Sequence, residues 1–389
     1  MPDEPRAVDL FSGAGGASLG IELAGFDLAA AVDHNTDALD THAANLPGYT
    51  VSHDLADVDV SVLPERAQSP EYLHGSPPCK GFSTANGDRD ADDPRNSLVF
   101  SFVEWLSELQ PAVVTMENVT GMTNITNHFM SKVKAAFRDA GYRVKWRTLN
   151  AADFGVPQTR RRVITVGIRR DFNPPARWFP RPTHAETATT TLDGRQLSAW
   201  RTVGDAIGDL AGRVDSHRPQ GENDGTCEAV WRPGDRPAHT MKGQGAAVVV
   251  SSTDATKNHD PRTTDFECRR AGKGGKFDPA LLAWDDPSIT IRAGGGEDGR
   301  GQRKPCVDAD EPRRLTVREC ARIQSFPDPF VFHGSKTAQY QQVGNAVPPR
   351  LQYHIANHLH GVVDGEWDAT ANESASGGVA VPDGGFQNE

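Results

Sequence analysis

The chain has 389 residues, a formal charge of −11 and five widely spaced cysteines. A chain of this length can bury a large core, in two domains or in one domain with a large insertion. The cysteines show neither zinc-site spacing nor a disulfide pattern, so we expect reduced thiols and no bound metal. The first residues lack a basic region followed by an apolar one, and no apolar run approaches the roughly 18 residues of a membrane span. These features predict a soluble cytoplasmic protein.

The basic residues are unevenly distributed. The chain has 31 arginines and 10 lysines against 52 acidic residues, and the arginines are concentrated in QTRRRVITVGIRR, CRRAGKGGK and EPRRLTVRECARIQ. Because nucleic-acid binding usually needs a basic surface, arginine-rich patches on an acidic protein keep such a partner open. Abundant aspartate with few lysines suits a halophilic cell with molar internal salt, and an ordinary acidic cytosolic enzyme is the alternative.

The first 171 residues alternate between strand and helix patterns. Residues 7–16, AVDLFSGAGG, predict an apolar strand that runs into a glycine turn, and ASLGIELAG continues as a helix. DLAAAVD, AVVTMENV and RRVITVGI are further strand patterns, whereas NTDALDTHAANL, SLVFSFVEWLSEL and FMSKVKAAFRDAG have helical spacing. This alternation predicts an α/β fold with a Rossmann-like, mostly parallel, doubly wound sheet.

From residue 172 the pattern becomes irregular. The stretch 172–310 is rich in Gly, Pro, Asp, Arg and Thr, and helical patterns return in LTVRECARIQSF and LQYHIANHLHGVV. We therefore expect a catalytic and cofactor-binding domain at 1–171 and a smaller, irregular β-rich domain at 172–335. A segment at 336–363 should return to the first domain, and the polar, acidic tail at 364–389 should be disordered.

The glycine turn is a candidate cofactor site. The sequence DLFSGAGG lets the backbone approach a ligand closely and places a helix N-terminus beside it. Asp33 ends the second strand, where a carboxylate can accept hydrogen bonds from ribose hydroxyls, and Asp54 is placed to accept from an adenine amino group. Their order favours an adenosine-containing cofactor. The turn alone would serve NAD, FAD or S-adenosylmethionine equally well, and each acid alone could be a helix cap.

Cys79 lies in the stiff loop HGSPPCKGFS. Pro77 and Pro78 fix the backbone ahead of it, which suits an aimed nucleophile, and Lys80 or the following helix N-terminus could favour the thiolate. A buried structural cysteine is the alternative, but it fits this loop poorly. Glu117 ends the apolar strand PAVVTMENV at the ligand-binding edge of the predicted sheet, so it is a candidate acid, with an N-cap role as the alternative.

Together these residues lie in motifs that resemble those of the cytosine-C5 DNA methyltransferase family. The motifs are DLFSGAGG, GSPPCKGFS, ENV at 117–119, GVPQTRRR at 155–162, RRLTVRECARIQSFPD at 313–328 and QYQQVGNAVPP at 339–349. Each is modest evidence alone, but six in the family's order and approximate spacing are a specific match. The resemblance covers most of the chain outside 172–310 and the tail. It implies S-adenosylmethionine as cofactor and double-stranded DNA as substrate.

The resemblance also implies roles for individual residues. Cys79 would attack C6 of a cytosine and Glu117 would donate to N3 of the base. Arg160 and Arg162 would hold the activated base, with Arg162 at O2, although arginines beside a strand could be plain surface charges. The implied cofactor contacts are Phe11, Gly13, Gly15, Asp33, His34, Asp54, Leu55, Pro78, Asn345 and Val347.

Two positions depart from the family pattern, and one region is variable. Asp33 stands where the family more often has glutamate, and Lys80 stands where many relatives have glutamine. In this family the region that corresponds to 172–310 reads the DNA sequence. The two similar segments PAHTMK and PSITIR are candidate recognition loops, and ordinary strands are the equal alternative. The implied DNA contacts are Lys80, Ser83, Gln158, Thr240, Lys242, Thr290 and Arg292.

The reaction that the resemblance implies takes place on a base swung out of the duplex. A thiolate adds to C6 while an acid protonates N3, C5 accepts a methyl group, and loss of the C5 proton with elimination of the thiol releases 5-methylcytosine. Three alternatives stay open: a tRNA cytosine-C5 methyltransferase, a catalytically inactive DNA-binding relative, and a nicotinamide dehydrogenase. We expect a monomer, and a cognate restriction endonuclease encoded nearby is a partner that the resemblance allows.

Overall fold

The computed structural model describes residues 4–78, 97–124, 128–213, 282–291, 306–307 and 313–363. The predictions for Cys79, Lys80, Ser83, Thr240, Lys242, Arg292 and the tail at 364–389 lie outside these residues. The described residues belong to two compact units. The first takes its residues from Met1–Asn150, Arg161–Arg181 and Pro349–Val379, and the second from Ala151–Arg160 and Pro182–Pro348.

The first unit is built on a seven-stranded sheet. Its strands are β1 (Arg6–Leu10), β2 (Asp27–Asp33), β3 (Tyr49–Ser52), β4 (Tyr72–Gly75), β5 (Val113–Val119), β6 (Tyr142–Asn150) and, after the short β7 (Gln158–Thr159) of the second unit, β8 (Arg161–Arg169). The strand order is β3-β2-β1-β4-β5-β8-β6. β8 alone runs antiparallel to its neighbours β5 and β6, and the other pairs are parallel. The predicted α/β fold with a mostly parallel sheet is confirmed.

Helices cover this sheet. They are α1 (Gly16–Leu23), α2 (Thr36–Asn45), α3 (Ser97–Leu109), α4 (Gly121–Asn124), α5 (His128–Asp139) and, after α6 (Val203–Ile207), α7 (Val317–Ile323) and α8 (Lys336–Asn345) of the second unit, α9 (Pro349–Val363). Phe102 and Trp105 of α3 and Phe137 of α5 are buried with Val8 and Val114 of the sheet in one apolar core. Burial of a large apolar side chain such as that of Phe102 stabilises the fold by roughly 2–3 kcal/mol.

Helices α1 and α9 approach each other closely in the same unit. A side chain placed on Gly20 of α1 would begin 2.5 Å from the carbonyl oxygen of Pro349, at the start of α9. Only glycine avoids this collision, so Gly20 allows α9 to pack closely on α1. No helix among the described residues is long and apolar enough to cross a membrane.

The second unit consists of short elements in its described parts. Strand β7 pairs in parallel with β12 (Ser288–Ile289), and β9 (His184–Ala185), β10 (Thr189–Thr190) and β11 (Gln196–Ala199) form a small sheet. β13 (Cys306–Val307) and β14 (Arg313–Arg314) form a two-stranded ribbon. Thr202 and Thr316 close capping boxes at the starts of α6 and α7, which fixes where these short helices begin.

Candidate active site

The turn after β1 has the backbone geometry of a close ligand approach. Phe11, Gly13 and Gly15 have φ values of 57°, 52° and 91°, in the left-handed region that favours glycine. Phe11 tolerates this conformation at a cost, because its Cβ crowds the backbone there. The amide of Ser12 donates to the Val32 carbonyl at 3.0 Å and so ties the turn to the end of β2.

Asp33 links the end of β2 to the same turn. Its Oδ2 accepts from the Gly13 amide at 2.8 Å, and its Oδ1 accepts from the Asn35 amide at 2.9 Å. The side chain of His34 is 78% exposed and its Nδ1 lies 3.4 Å from Asp33 Oδ1. The predicted ribose acceptor therefore also holds the glycine turn in shape.

The residues of this turn fit an adenosine-containing cofactor. Among the described residues other than its two chain neighbours, none has a heavy atom within 4 Å of the point where a side chain on Gly13 would begin, so these residues leave the backbone there open to a ligand. Each carboxylate oxygen of Asp33 accepts one hydrogen bond from the protein, which leaves a second lone pair for a ribose hydroxyl. The combination of an open glycine backbone and a preoriented acceptor suits a nucleoside.

Asp54 and Leu55 follow β3 with contrasting exposure. Asp54 is exposed and its Oδ1 accepts from the Ala56 amide at 3.0 Å, so lone pairs remain for an amino group of a ligand. Leu55 is buried in the core, and its carbonyl accepts from Trp105 Nε1 at 3.3 Å. Trp105 of α3 thus fixes the backbone that presents Asp54.

A buried polar cluster lies behind the turn, and the sequence did not predict it. The Ser18 hydroxyl of α1 donates to Asp9 Oδ2 of β1 at 2.5 Å and lies 2.9 Å from His42 Nε2 of α2. Burial raises the pKa of Asp9 to about 7 and lowers the pKa of His42 to about 4. These three side chains join the three elements around the turn. They are far apart in sequence, so no local pattern revealed them.

Glu117 and Arg162 form an ion pair at the end of β5. Arg162 Nε lies 2.7 Å from Glu117 Oε1, and Glu117 is only 7% exposed. The pairing follows from the strand register, because antiparallel β8 places Arg162 opposite Val119. Two of the predicted catalytic residues are therefore brought together within the first unit, as a carboxylate and a planar guanidinium suited to the polar edge of a base.

The segment that leads to Cys79 is anchored beside this pair. Asn118 is buried, and its Nδ2 donates to the Pro77 carbonyl at 3.1 Å. Ser76 Oγ donates to the Phe11 carbonyl at 3.1 Å. The described part of the loop, which ends at Pro78, is thus joined both to the strand that bears Glu117 and to the glycine turn. Neither Asn118 nor Ser76 was a predicted site residue, although Asn118 adjoins Glu117 in the ENV motif.

Arg160 has a different environment, inside the second unit. Its side chain is 1% exposed. Nη1 donates to the carbonyls of Ile291 at 3.0 Å and Gly344 at 3.1 Å, and Nη2 donates to Gly344 at 3.2 Å and Ala346 at 3.0 Å. This geometry fits an internal bracing role better than the predicted contact with the activated base, because the guanidinium is already engaged and covered.

Gln158 is likewise internal to the second unit. It is fully buried, its Oε1 accepts from the Ile291 amide at 3.0 Å, and its Nε2 donates to Gln324 Oε1 at 2.6 Å. Thr290, the one recognition candidate among the described residues of 172–310, donates through Oγ1 to the Thr159 carbonyl at 3.2 Å. The burial of Gln158 fits a bracing role better than the predicted DNA contact, and Thr290 remains partly exposed.

The predicted cofactor residues Asn345 and Val347 flank a braced backbone position. Asn345 ends α8 and is exposed, whereas Val347 is buried. Between them, the carbonyl of Ala346 accepts from Gln324 Nε2 at 2.6 Å as well as from Arg160. The GNAV backbone is therefore held by two buried side chains.

The strand order, the glycine turn with its acid and the carboxylate–arginine pair define an α/β enzyme of methyltransferase type. The model of the family "C-5 cytosine-specific DNA methylase" matches residues 6–361. The chain is 36% identical over 398 residues to Type II methyltransferase M.XorII of Xanthomonas oryzae pv. oryzae, covering 91% of this chain and 84% of that protein. It is 35% identical over 362 residues to Type II methyltransferase M1.HphI of Haemophilus parahaemolyticus, covering 90% and 85%.

Solved structures agree with the fold. S. pombe Dnmt2 methyltransferase matches with a TM-score of 0.55 at 15% identity, covering 93% of this chain and 99% of that one. The chain belongs to the C-5 cytosine-specific DNA methylase family, which uses S-adenosylmethionine. The predicted resemblance, enzyme class and cofactor are confirmed, and the nicotinamide dehydrogenase alternative is excluded.

Proposed function

We propose that this enzyme methylates C5 of a cytosine swung out of double-stranded DNA, within a defined sequence, through a covalent bond between Cys79 and C6. The observation that supports this best is the hydrogen bond from Asn118 to the Pro77 carbonyl. It joins the strand end that bears Glu117 to the backbone two residues before Cys79. A nucleophile and an acid that act on one ring need this closeness.

The side chains divide the work on the base. The Cys79 thiolate adds to C6, and Glu117 donates a proton to N3, so that the electron pair pushed from the C5–C6 bond makes C5 nucleophilic. Arg162, paired with Glu117 at 2.7 Å, donates to O2 and stabilises the negative charge that develops on the ring. Bound S-adenosylmethionine supplies an electrophilic methyl group on a sulfonium. Once C5 carries the methyl group, a base removes the C5 proton, the C6–sulfur bond breaks to regenerate the thiolate, and N3 returns its proton to Glu117.

The glycine turn and Asp33 form part of the cofactor site in this proposal. Phe11, Gly13 and Gly15 present open backbone, Asp33 accepts from the ribose, and Asp54 accepts from the adenine. His34, Leu55 and Pro78 stay as predicted neighbours of the cofactor, together with Asn345 and Val347. The buried Asp9–Ser18–His42 cluster keeps the turn in its ligand-ready shape.

We further propose that the region 172–335 reads the DNA sequence. Thr240, Lys242, Thr290 and Arg292 remain the predicted contacts there, with Lys80 and Ser83 beside the nucleophile. Relatives named Type II methyltransferases suggest a restriction endonuclease that cuts the same sequence. A monomer, a cytoplasmic location and adaptation to molar salt also remain predictions.

The nucleophile is tested by Cys79→Ser with Cys320→Ala as the matched control, because Cys320 is a buried cysteine of α7. We expect Cys79→Ser to reduce methyl transfer to duplex DNA by about 10³-fold or more while DNA binding persists, since the hydroxyl is a far weaker nucleophile. Cys320→Ala should retain activity. Transfer of labelled methyl groups to DNA and to tRNA is measured in parallel.

A duplex that contains 5-fluorocytosine at the target gives the second readout. The C5 fluorine cannot leave as a proton does, so the adduct persists once the methyl group has been transferred. We expect this adduct on residue 79 in the wild-type chain and in Cys320→Ala, and none in Cys79→Ser. Near-normal turnover of Cys79→Ser, or preferential methylation of tRNA, would overturn the proposal.

A further inference from the structure

One edge of the sheet in the first unit is strongly basic. Residues 128–150 and 161–181 form α5, β6, β8 and the segment after β8. These two stretches contain twelve of the chain's 41 basic residues and only two of its 52 acidic ones. Positive charge is therefore concentrated here in a protein whose formal charge is −11.

Three of these charges form a row on the edge strand. β6 is the last strand of the sheet, and Arg143, Lys145 and Arg147 alternate along it. Residues two apart on a strand point to the same face and are about 7 Å apart. All three side chains are exposed. We call these three residues the basic row.

Aromatic rings support the basic row from below. Lys145 Nζ lies 4.8 Å from the ring centre of Trp178, and Arg147 Cζ lies 5.2 Å from that of Phe179. Both rings are buried. Cation–π contacts of this kind hold a long side chain in one orientation without neutralising its charge, so less entropy is lost when an anion binds.

The charges of the basic row are not paired with acids in the described part of the chain. Arg143 donates through Nη1 to the Phe172 carbonyl at 2.8 Å, and no described carboxylate forms an ion pair with it, with Lys145 or with Arg147. Arg169 on β8 differs, because its Nε lies 2.8 Å from Asp171 Oδ1. The basic row thus offers full positive charge to a partner.

Protection of an exposed strand edge is a simpler explanation for charged residues on β6. Charges there prevent edge-to-edge pairing with another chain. Either sign of charge would serve that purpose, and acidic residues outnumber basic ones in this chain. All the charged residues between Tyr142 and Asn150 are basic, and aromatic rings lie against two of them, which points to an anionic partner instead.

The register of the sheet places the basic row in line with the candidate active site. Arg162, the partner of Glu117, lies opposite Leu149, and Arg143 lies opposite Ile168. From the level of Leu149 to that of Arg143 the strand covers about 20 Å. That length equals about six base pairs of duplex DNA.

We propose that the basic row binds backbone phosphates of the DNA flanking the target, about two to six base pairs from the methylated cytosine. The inference rests on the proposed function only in taking duplex DNA at Glu117 and Arg162 as the substrate. DNA is favoured over an acidic protein because the enzyme already brings this polyanion to the Arg162 end of the same strand pair. Phosphate contacts of this kind add affinity without sequence preference.

The test compares the wild-type chain with the triple variant Arg143→Gln, Lys145→Gln and Arg147→Gln. The target sequence is first mapped by bisulfite sequencing. Fluorescence anisotropy then gives the Kd for duplexes with about 3 or about 15 base pairs on each side of the target, over a series of salt concentrations. Arg66→Gln serves as control, because Arg66 pairs with Asp27 in the same unit, away from β6.

We expect the triple variant to bind the long duplex at least about 10-fold more weakly, and the slope of log K against log salt to fall by about 2.7 for three lost phosphate contacts. The short duplex keeps at most one of the three contacts, so its binding should weaken by less than that of the long duplex and its methylation should persist. All values for Arg66→Gln should stay unchanged. Unchanged long-duplex binding would refute the proposal, as would an equal loss on both duplexes. If the triple variant bound polyglutamate more weakly but bound both duplexes normally, the partner of the basic row would be an acidic protein and the proposal would be refuted. If the short duplex is still methylated, the proposed function stands even where the proposal for the basic row fails.

Discussion

Arg160 and Arg162 are two residues apart and have the same side chain, but their surroundings differ. Arg160 is enclosed in the second unit, with its guanidinium directed at the backbone carbonyls of Ile291, Gly344 and Ala346. Arg162 lies at the start of β8 in the first unit and faces the Glu117 carboxylate. One arginine donates to backbone carbonyls of the protein, and the other pairs with the candidate acid.

The difference teaches that strand pairing, and not residue type, assigns the roles. Residues 158–159 pair with β12, which turns Arg160 into the second unit, whereas residues 161–169 enter the large sheet between β5 and β6. The chain changes unit between the two arginines. The motif QTRRR therefore contains one arginine that braces the second unit and one that pairs with the candidate acid Glu117, and only the pairing partners distinguish them.

Of the two arginines, Arg162 should give the larger loss of activity when it is removed. Arg162→Ala should lower the methylation rate by about 10²–10³-fold, because it deletes the donor that we propose stabilises charge on the ring. Arg162→Lys should give an intermediate rate, since an ammonium cannot replace the planar fork. Single-turnover methylation with saturating DNA measures the effect. A normal rate for Arg162→Ala would remove Arg162 from the site.

Removing the enclosed arginine should instead affect folding. Arg160→Met should lower the free energy of unfolding by about 2–4 kcal/mol, because buried carbonyls lose their donors. Urea unfolding followed by circular dichroism measures this change, with Arg195→Met as the control in the same unit, because the pair of Arg195 with Asp193 is exposed and its loss should cost about 1 kcal/mol or less. An unchanged stability together with a collapsed methylation rate would return Arg160 to its predicted role at the base.

The central sheet was predictable from sequence because its strands are continuous apolar runs. DLAAAVD corresponds to β2 and SLVFSFVEWLSEL to α3, residue for residue. β3 was not predicted, because YTVS is only four residues long and lies at the sheet edge. α8 was missed because KTAQYQQVGN has almost no apolar face. Short or polar elements owe their structure to tertiary neighbours, which a local pattern cannot reveal.

The candidate site was predictable where function demands a residue type at a strand end. Asp33 and Glu117 were recognised in this way, and the structure places both at ends of parallel strands. Asn118 and the Asp9–Ser18–His42 cluster were not, because their roles depend on contacts between distant segments. The burial of Gln158 and Arg160 was equally invisible, since polar residues near a turn usually lie at the surface.

Asp9 extends the comparison of bracing and acting charges into the first unit. It is enclosed like Arg160, and it accepts from the Ser18 hydroxyl instead of facing a ligand. Burial, opposed by this hydrogen bond and reinforced by the charge of Asp33, raises its pKa from 3.8 to about 7. Glu22 of α1 has a pKa raised to about 7 mainly by burial as well, and its Oε2 accepts from the Leu28 amide.

The last expected effect is a change of stability with pH. Between pH 4 and 7 the unfolded chain ionises Asp9 while the folded chain keeps it protonated, so Asp9 lowers the free energy of unfolding as pH rises, by at most about 4 kcal/mol. His42 and His74, with pKa values lowered to about 4 and about 3 by burial, act in the opposite direction. The contribution of Asp9 is thus measured by the difference in free energy of unfolding between Asp9→Asn and the wild type.

Asp9→Asn keeps the shape of the side chain and an acceptor for Ser18 but removes the titration. Urea unfolding at pH 5 and pH 8 should show a variant that gains stability relative to the wild type at the higher pH. Glu22→Gln is the matched control, because Glu22 has a similar pKa but no hydrogen bond to Ser18. In the double variant, the changes in the pH dependence of the free energy of unfolding should add. Because a bracing residue contacts no substrate, the KM for S-adenosylmethionine should rise only modestly. A pH slope in Asp9→Asn equal to that of the wild type would mean that Asp9 is already ionised in the folded chain, held by Ser18 against the cost of burial.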